Sequence, residues 1–219
     1  MSYRPDWSVI PQNLDLFLEG LLLTIEISAL ALLFSIPIGI LAGLCRISRN
    51  KMVSFIAVSY VELMRGIPLL VLLFWIFFVL GKVLQLGAYW SAVLGLAIFS
   101  GAFIAEIVRA GIQAVPKGQM EAARSTGMTY VQAMRYIILP QALRKVLPPM
   151  ASQFIILIKD SSLVSVISVV DLTLVAKNLV ATSFRSLEVW TFVALLYFVV
   201  TFTLSQIIRF FENKYKVYE

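Results

Sequence analysis

Long apolar stretches separated by short segments rich in Lys and Arg dominate the chain. Five stretches carry few or no charged residues and cover residues 20–45, 52–81, 83–105, 146–170 and 189–208. Each is at least about as long as the 20 residues that a helix needs to cross roughly 30 Å of hydrocarbon. The pattern therefore predicts an all-α polytopic membrane protein with five transmembrane helices, forming a single domain over residues 1–219.

The composition supports this prediction and narrows the chemistry. Hydrophobic residues make up 60% of the chain and charged residues 14%, against about 45–50% and 25% in soluble domains. The chain has no His and one Cys, Cys45, which excludes a His-based triad, a Cys/His metal cluster and an internal disulfide. It also lacks the G-x-x-x-x-G-K-[ST] phosphate-binding motif. We therefore expect no catalytic residue, no metal and no cofactor bound by this chain itself.

The distribution of Lys and Arg predicts the orientation. Five helices place the termini on opposite sides, with twelve basic residues on one side and four on the other. The twelve are Arg46, Arg49, Lys51, Arg109, Lys117, Arg124, Arg135, Arg144, Lys145, Arg209, Lys214 and Lys216; the four are Arg4, Lys82, Lys177 and Arg185. Because basic residues accumulate on the cytoplasmic side, the N-terminus is expected outside and the C-terminus in the cytoplasm. The net charge of +6 then reflects topology and contact with anionic lipid, and no nucleic acid partner is expected.

The segment before the first apolar stretch has two interpretations. Residues 7–19 mix polar and apolar side chains, so the segment could lie in the outer interface with Trp7, Phe17 and Leu18 as apolar anchors. It could equally be a leader without fixed structure. In either case Pro11 is expected to interrupt a helix.

The block at about residues 114–140 is too long for a bare connection and predicts two short helices on the cytoplasmic side. Pro116 suits the first turn of a helix, and Gly127 suits a left-handed stop. Thr129 with Gln132 three residues later matches a capping box that opens a second helix, which Pro140 is expected to end. From periodicity alone, an amphipathic hairpin that only connects two transmembrane helices is equally compatible.

The residues of this block resemble a known motif. EAA at 121–123, Gly127, and then Ile137, Leu139 and Pro140 resemble the EAA loop in permease subunits of ATP-binding cassette (ABC) importers. VELMRGIPLL from Val61, SGAFIAEIVRAGI from Ser100 and IKDSSLVSVIS from Ile158 are similar to the polar amino acid branch, whose members carry histidine, glutamate, glutamine, arginine or opines. The resemblance covers nearly the whole chain.

The resemblance implies a type I permease of the bacterial cytoplasmic (inner) membrane with an outward N-terminus. Two permease subunits, identical or related, would pair. Separate ATPase subunits that bind ATP and Mg²⁺ would dock on the EAA loops, and an extracytoplasmic binding protein would deliver the amino acid. The residues expected to couple the permease to the ATPase are Glu121, Ala122, Ala123 and Gly127.

Five charged residues lie within the apolar stretches, and one of them, Glu26, is as compatible with the outer interface as with a pathway. Glu62, Arg65, Lys159 and Asp160 are expected to face protein or a water-filled pathway, because charges at bilayer depth cost at least about 2.5–3.5 kcal/mol. Alternatively, Glu62 and Arg65 could simply neutralise each other at i, i+3 spacing, as Glu106 and Arg109 could.

The resemblance places the substrate near mid-membrane, between residues of the second, third and fourth helices. The candidate pathway residues are Glu62, Arg65, Ser100, Gln153, Lys159, Asp160 and Ser161. They supply both signs of charge, which an amino acid zwitterion requires. The competing hypothesis is a stand-alone ion-coupled secondary transporter or channel, in which the charges would carry an ion and the hairpin would form a gate.

Overall fold

The computed structural model describes residues 4–215, with side chains described through Phe211. Within that range the chain is helical and contains no strand, which confirms the all-α prediction. The helices are α1 Val9–Gln12, α2 Leu14–Arg46, α3 Lys51–Gly66, α4 Leu69–Trp75, α5 Gly81–Leu84, α6 Gly87–Gln113, α7 Lys117–Ser125, α8 Tyr130–Ala133, α9 Leu139–Asp160, α10 Leu172–Ser183 and α11 Ser186–Tyr215. The predicted cytoplasmic C-terminus and Lys216 lie outside the described residues, as does the side chain of Lys214.

Four continuous helical stretches are long and apolar enough to cross a membrane: Leu14–Arg46, Gly87–Gln113, Tyr130–Ile167 and Ser186–Phe211. A fifth crossing is obtained when Lys51–Gly66 and Leu69–Leu84, which meet at an angle of 107°, are counted as one broken span. The break lies at Ile67 and Pro68: the residue before a proline is forced into an extended conformation, and Ile67 has φ −93° and ψ 130°. The stretch 52–81 is therefore a bent pair rather than one straight helix.

Two further helices differ from their predicted bounds. α6 begins at Gly87, because Gln85 and Gly87 have positive φ angles of 53° and 67° that interrupt the helix before it. Pro140 does not end a helix, contrary to expectation: π-helical residues Met134–Ile138 precede it, and α9 runs through it to Asp160. The wider π turn changes the hydrogen-bond register just ahead of the proline, which accommodates its ring and its missing N–H.

Within the described residues, the helices form two compact units. The first unit comprises the chain up to Leu32, Pro68–Ala97 and the chain from Phe154 onward, and the second comprises Leu33–Ile67 and Ile98–Gln153.

The first unit has an apolar core near the beginning of the chain. Phe17 is 0% exposed and packs edge-on against Phe192, with ring centroids 5.0 Å apart. It is therefore a core residue and not a lipid anchor, whereas Trp7 and Leu18 remain exposed. Pro11 lies inside α1 without interrupting it, since the first turn of a helix does not require the missing N–H.

The second unit depends on a close approach of α2 and α6. A Cβ atom built at Gly39 would lie 2.4 Å from Cγ2 of Ile104, and one at Gly43 would lie 2.8 Å from the carbonyl oxygen of Ala105. These distances leave no room for a side chain. Glycines four residues apart let helix backbones approach closely, as in the GxxxG packing of membrane helices.

Candidate functional site

The helix predicted to contact the ATPase is α7, Lys117–Ser125. Pro116 precedes it with φ −56° and ψ 134°, so the helix starts one residue later than the first-turn position assigned to the proline. Glu121 and Ala122 are exposed, whereas Ala123 is 7% exposed. The helix thus presents one carboxylate and one small side chain on its surface and buries the adjacent alanine.

A Schellman turn ends α7, as predicted from Gly127. The N–H of Met128 donates to the carbonyl of Ala123 at 3.2 Å, and the N–H of Gly127 donates to the carbonyl of Arg124 at 3.1 Å. Gly127 has φ +87°, in the left-handed region that favours glycine. The guanidinium of Arg124 also donates to the carbonyl of Met128 at 2.5 Å. The direction of the chain after α7 is therefore fixed by backbone geometry.

The capping box predicted after this turn is present. The N–H of Gln132 donates to the Thr129 hydroxyl at 3.2 Å, and the N–H of Thr129 donates to the Gln132 side chain at 2.8 Å. The helix that it opens is not short, however. It continues from Tyr130 to Ile167 through the π-helical segment and α9, because Pro140 does not stop it.

A concave, mainly apolar surface with a volume of about 320 Å³ lies beside α7. Its lining residues are Gln119, Ala122, Ala123, Thr126, Met128 and Ile137. Two of the four predicted coupling residues, Ala122 and Ala123, therefore line a concavity that the Schellman turn helps to shape.

A cluster of ion pairs lies in the same unit and is centred on Glu106 of α6. Oε2 of Glu106 lies 2.9 Å from the Arg109 guanidinium and 3.5 Å from that of Arg65, and Oε1 accepts a hydrogen bond from Arg46. Arg46 also lies 3.7 Å from Glu62. The predicted Glu106–Arg109 pair is confirmed. The prediction that Glu62 and Arg65 neutralise each other is wrong. Among the described ion pairs, Glu62 pairs with Arg46 of α2 and Arg65 pairs with Glu106 of α6.

The second unit also holds Ser100 and Gln153. Ser100 is 3% exposed, and among the described residues its hydroxyl has no hydrogen-bond partner. Gln153 is half-buried. An unpaired buried hydroxyl is costly, so Ser100 retains hydrogen-bonding capacity that a bound molecule could use.

The remaining candidates lie in the first unit, where α9 ends and a 3₁₀ segment, Ser161–Ile167, begins. Lys159 is exposed and Asp160 is half-buried, as expected for neighbours that point about 100° apart on a helix. Ser161 is fully buried and donates to the carbonyl of Ile158 at 2.8 Å. Its hydroxyl is therefore already used by the helix.

Sequence spacing did not indicate the role of Arg46. The charge distribution predicts only a cytoplasmic cation at this position, yet Arg46 pairs with the carboxylate of Glu106, 60 residues away. The one available signal was that Glu106 is the only acidic residue between Arg65 and Glu121. Among the described residues, no group of three or more His, Cys, Asp or Glu side chains is arranged to hold a metal ion.

Comparison with known proteins identifies the family. The model of the family described as "Binding-protein-dependent transport system inner membrane component" matches residues 35–217. The glutamine transport system permease protein GlnP of Escherichia coli (strain K12) is 39% identical over 215 residues, covering 97% of this chain and 98% of its own. The probable glutamine ABC transporter permease protein GlnM of Bacillus subtilis (strain 168) is 40% identical over 208 residues, covering 94% and 96%.

A solved structure agrees with these relatives. An amino acid ABC transporter, crystallised with histidines, contains a chain that is 39% identical and superimposes with a TM-score of 0.89, covering 98% of this chain and all of its own. These matches favour the importer over a stand-alone ion-coupled transporter or channel, and ATP hydrolysis accordingly resides in separate subunits. The chain belongs to the family of binding-protein-dependent transport system inner membrane components and is a multi-pass permease subunit of a polar amino acid ABC importer of the inner membrane.

Proposed function

We propose that this permease imports its amino acid by alternating access and that α7 couples it to the ATPase subunits. The observation that carries the proposal is the exposed surface of α7. Glu121 and Ala122 are exposed on this helix, and the Schellman turn at Gly127 fixes its end. A short helix held at a defined angle can transmit movement of a docked partner, whereas a loosely held loop would absorb it.

The connection between α7 and α6 supports transmission of that movement. Val115, in the three-residue link, is buried, and the ammonium group of Lys145 donates to the carbonyl of Ala114 at 2.9 Å. When the ATPase subunits bind ATP and Mg²⁺ and close, α7 and α6 move with them and open the pathway outward. Hydrolysis then returns the pathway to its inward state.

We propose glutamine as the substrate to be tested first. Both of the relatives described above are named as glutamine permeases, and the candidate Gln153 is neutral, which suits a neutral polar side chain better than a cationic one. An amino acid zwitterion needs partners for its carboxylate and its ammonium. The candidates supply both charges: Arg65 and Lys159 are cationic, and Glu62 and Asp160 are anionic. The neutral candidates are Ser100, Gln153 and Ser161.

The proposed assembly follows from the charge distribution and the family. The N-terminus faces outward and the C-terminus faces the cytoplasm, since twelve of sixteen assigned basic residues then lie inside. A binding protein delivers the amino acid from outside, and ATPase subunits dock inside. A second permease subunit, identical or related, completes the pathway, and anionic lipid contacts the basic cytoplasmic side.

The test is purification of the tagged chain from its native membrane, with identification of copurifying proteins by mass spectrometry. ATPase activity is then measured with the binding protein and each of the twenty amino acids. A copurifying ATPase stimulated most strongly by glutamine supports the proposal. Stimulation by another polar amino acid overturns only the choice of glutamine, and a homo-oligomer without an ATPase overturns the coupling proposal.

A variant separates docking by α7 from general stability. Ala122→Leu adds bulk at an exposed position on the proposed contact surface and should reduce copurification of the ATPase. Ala181→Leu makes the same change at an exposed position of α10 and serves as the control. Equal ATPase recovery from both variants would contradict docking at Ala122.

A further inference from the structure

Three arginines converge on the carboxylate of Glu106. Arg109 binds it in a bidentate manner: Nε donates to Oε1 at 3.2 Å, and one terminal nitrogen donates to Oε2 at 2.9 Å. Arg46, the last residue of α2, donates to Oε1, and Arg65 of α3 lies 3.5 Å from Oε2. One side chain of α6 thus contacts the cytoplasmic end of α2 and the end of α3 that precedes the 107° bend.

The charges of this cluster do not cancel. Arg46, Arg65 and Arg109 face two carboxylates, those of Glu106 and Glu62, of which Glu62 reaches only Arg46, at 3.7 Å. Glu106 lies seven residues from the end of α6, about 10 Å along the helix axis. At that depth the arginines depend on Glu106, because an unpaired charge in or near hydrocarbon is expensive. Loss of this one carboxylate would leave three cations with a single weakly placed anion.

Glu106 is also connected to α7 along α6. Arg109, held by Glu106, donates through its second terminal nitrogen to the side chain of Gln113 at 2.5 Å. Gln113 is the last residue of α6, and Pro116 begins the approach to α7 three residues later. The Lys145–Ala114 hydrogen bond fixes the segment between them. A continuous series of contacts therefore joins α7 to the ends of α2 and α3 through Glu106, entirely within the second unit.

We propose that Glu106 is a positioning residue for coupling: its carboxylate makes the end of α2 at Arg46 and the end of α3 at Arg65 follow α6 and α7 as one body. This inference rests on the proposed coupling role of α7. Without the Glu106 charge, α7 still docks, but its movement reaches α6 alone. ATP hydrolysis then continues while transport per ATP falls.

The test compares Glu106→Gln and Glu106→Asp with the control Glu26→Gln, which removes a different intramembrane carboxylate whose hydrogen bond comes from the Tyr89 hydroxyl. Each variant is reconstituted in proteoliposomes with its ATPase and binding protein, and amino acid import is measured per ATP hydrolysed. Glu106→Gln should lower that ratio at least about fivefold. Glu106→Asp should recover part of it, and Glu26→Gln should stay within about twofold of the unmodified chain.

A distance measurement distinguishes positioning from a general structural role. In a Cys45→Ser background, spin labels at the exposed positions Leu63→Cys and Ala110→Cys report the separation of α3 near Arg65 from the end of α6. Glu106→Gln should broaden this distance distribution, and Glu26→Gln should not. The inference is overturned if Glu106→Gln reduces only the yield of complex and leaves both the import ratio and the distance distribution unchanged. If the unmodified complex does not couple ATP hydrolysis to import, the proposed function fails, whereas the distance result still tests the link through Glu106.

Discussion

The main-chain N–H of Asp6 donates a 2.6 Å hydrogen bond to Oε1 of Glu188, a residue 182 positions away in the chain. The Glu188 side chain is fully buried. Arg185 reinforces the link, with its guanidinium 3.7 Å from the Asp6 carboxylate and 2.8 Å from the carbonyl oxygen of Arg4. From Arg4 onward, the N-terminal segment is therefore fixed to the turn between α10 and α11, so the interpretation as an unstructured leader is wrong there.

Glu188→Ala should destabilise the protein by about 1–3 kcal/mol, because it leaves the Asp6 N–H without its buried acceptor. Glu188→Gln keeps an acceptor oxygen and should cost less. Thermal unfolding in detergent gives the stability, and hydrogen exchange at residues 6–12 gives the local effect. The exposed Glu19→Ala is the control. Unchanged exchange in Glu188→Ala would show that the hydrogen bond does not hold the segment.

Gly127→Val should reduce coupling without preventing membrane insertion. No atom lies within 4 Å of a Cβ built at Gly127, so the cost is backbone strain at φ +87° rather than a clash, about 1–2 kcal/mol. Gly127→Asn should be tolerated better, since Asn adopts the left-handed region more readily. The measurements are membrane content by immunoblot and import per ATP hydrolysed.

Gly118→Val is the matched control for Gly127, because Gly118 lies in α7, the helix that the turn at Gly127 ends, and is also in open space but without a positive φ. It should retain coupling better than Gly127→Val. Loss of insertion in Gly127→Val, or equal uncoupling by the two valines, would contradict the role given to the left-handed turn.

Asp171 caps α10, with its Oδ1 accepting from the N–H of Leu174 at 2.9 Å, and lies outside the helices assigned to the membrane. Burial raises the pKa of its carboxyl from 3.8 to about 6, against the opposing effect of the capping hydrogen bonds and Lys177. The folded state therefore binds this proton more tightly than the unfolded state. The resulting stabilisation is complete below pH 3.8 and is lost as the pH rises through about 6.

Asp171→Asn should remove this pH dependence, because the amide oxygen can still accept the Leu174 N–H. The pKa difference corresponds to about 3 kcal/mol as an order of magnitude, so the variant should gain stability relative to the unmodified chain between pH 4 and pH 7. Thermal unfolding across that range is the measurement. Hydrogen bonds from Ser8 lower the pKa of the Asp6 carboxyl, so ionised Asp6 stabilises the folded state and this stabilisation is lost as the pH falls. Asp6→Asn should therefore lose a little stability relative to the unmodified chain at neutral pH, where Asp171→Asn gains stability. Parallel pH profiles for Asp171→Asn and the unmodified chain would contradict the prediction.

The features that could be predicted from the sequence are local ones. Length and apolarity indicated the membrane helices, and the stop at Gly127 and the Thr129–Gln132 capping box were found because their partners lie within five residues. Pro140 shows the limit of local rules: proline at this position ends a helix only if the preceding turn is an α turn, and a π turn precedes it.

The features that could not be predicted depend on contacts between distant residues. Glu62 and Arg65 have the spacing of a helical ion pair, yet each has a partner on a neighbouring helix, and spacing along one helix contains no information about the next. Phe17 has the composition of an interfacial anchor but packs against Phe192. Among the substrate candidates, sequence alone does not separate Ser161, whose hydroxyl donates to its own helix, from Ser100, whose buried hydroxyl has no partner among the described residues.

The packing of α2 on α6 gives the last prediction. Gly43→Ala would bring Cβ to 2.8 Å from both the Ala105 carbonyl oxygen and Cβ of Val108, and Gly39→Ala would bring it to 2.5 Å from Cβ of Ile104. These neighbours are backbone or branch-point atoms that cannot rotate away, so the helices must separate, at a cost of about 1–3 kcal/mol.

Gly118→Ala is the control for these two variants, because the added Cβ meets no atom within 4 Å. It should stabilise α7 by up to about 1 kcal/mol through helix propensity alone. The same propensity gain applies at Gly39 and Gly43, so a net loss there measures the helix contact. Thermal unfolding of the three variants in detergent tests this: a lowered Tm for Gly39→Ala and Gly43→Ala, with an unchanged or raised Tm for Gly118→Ala, supports the close approach. Equal stabilisation of all three would show that α2 and α6 have room for a side chain at their contact.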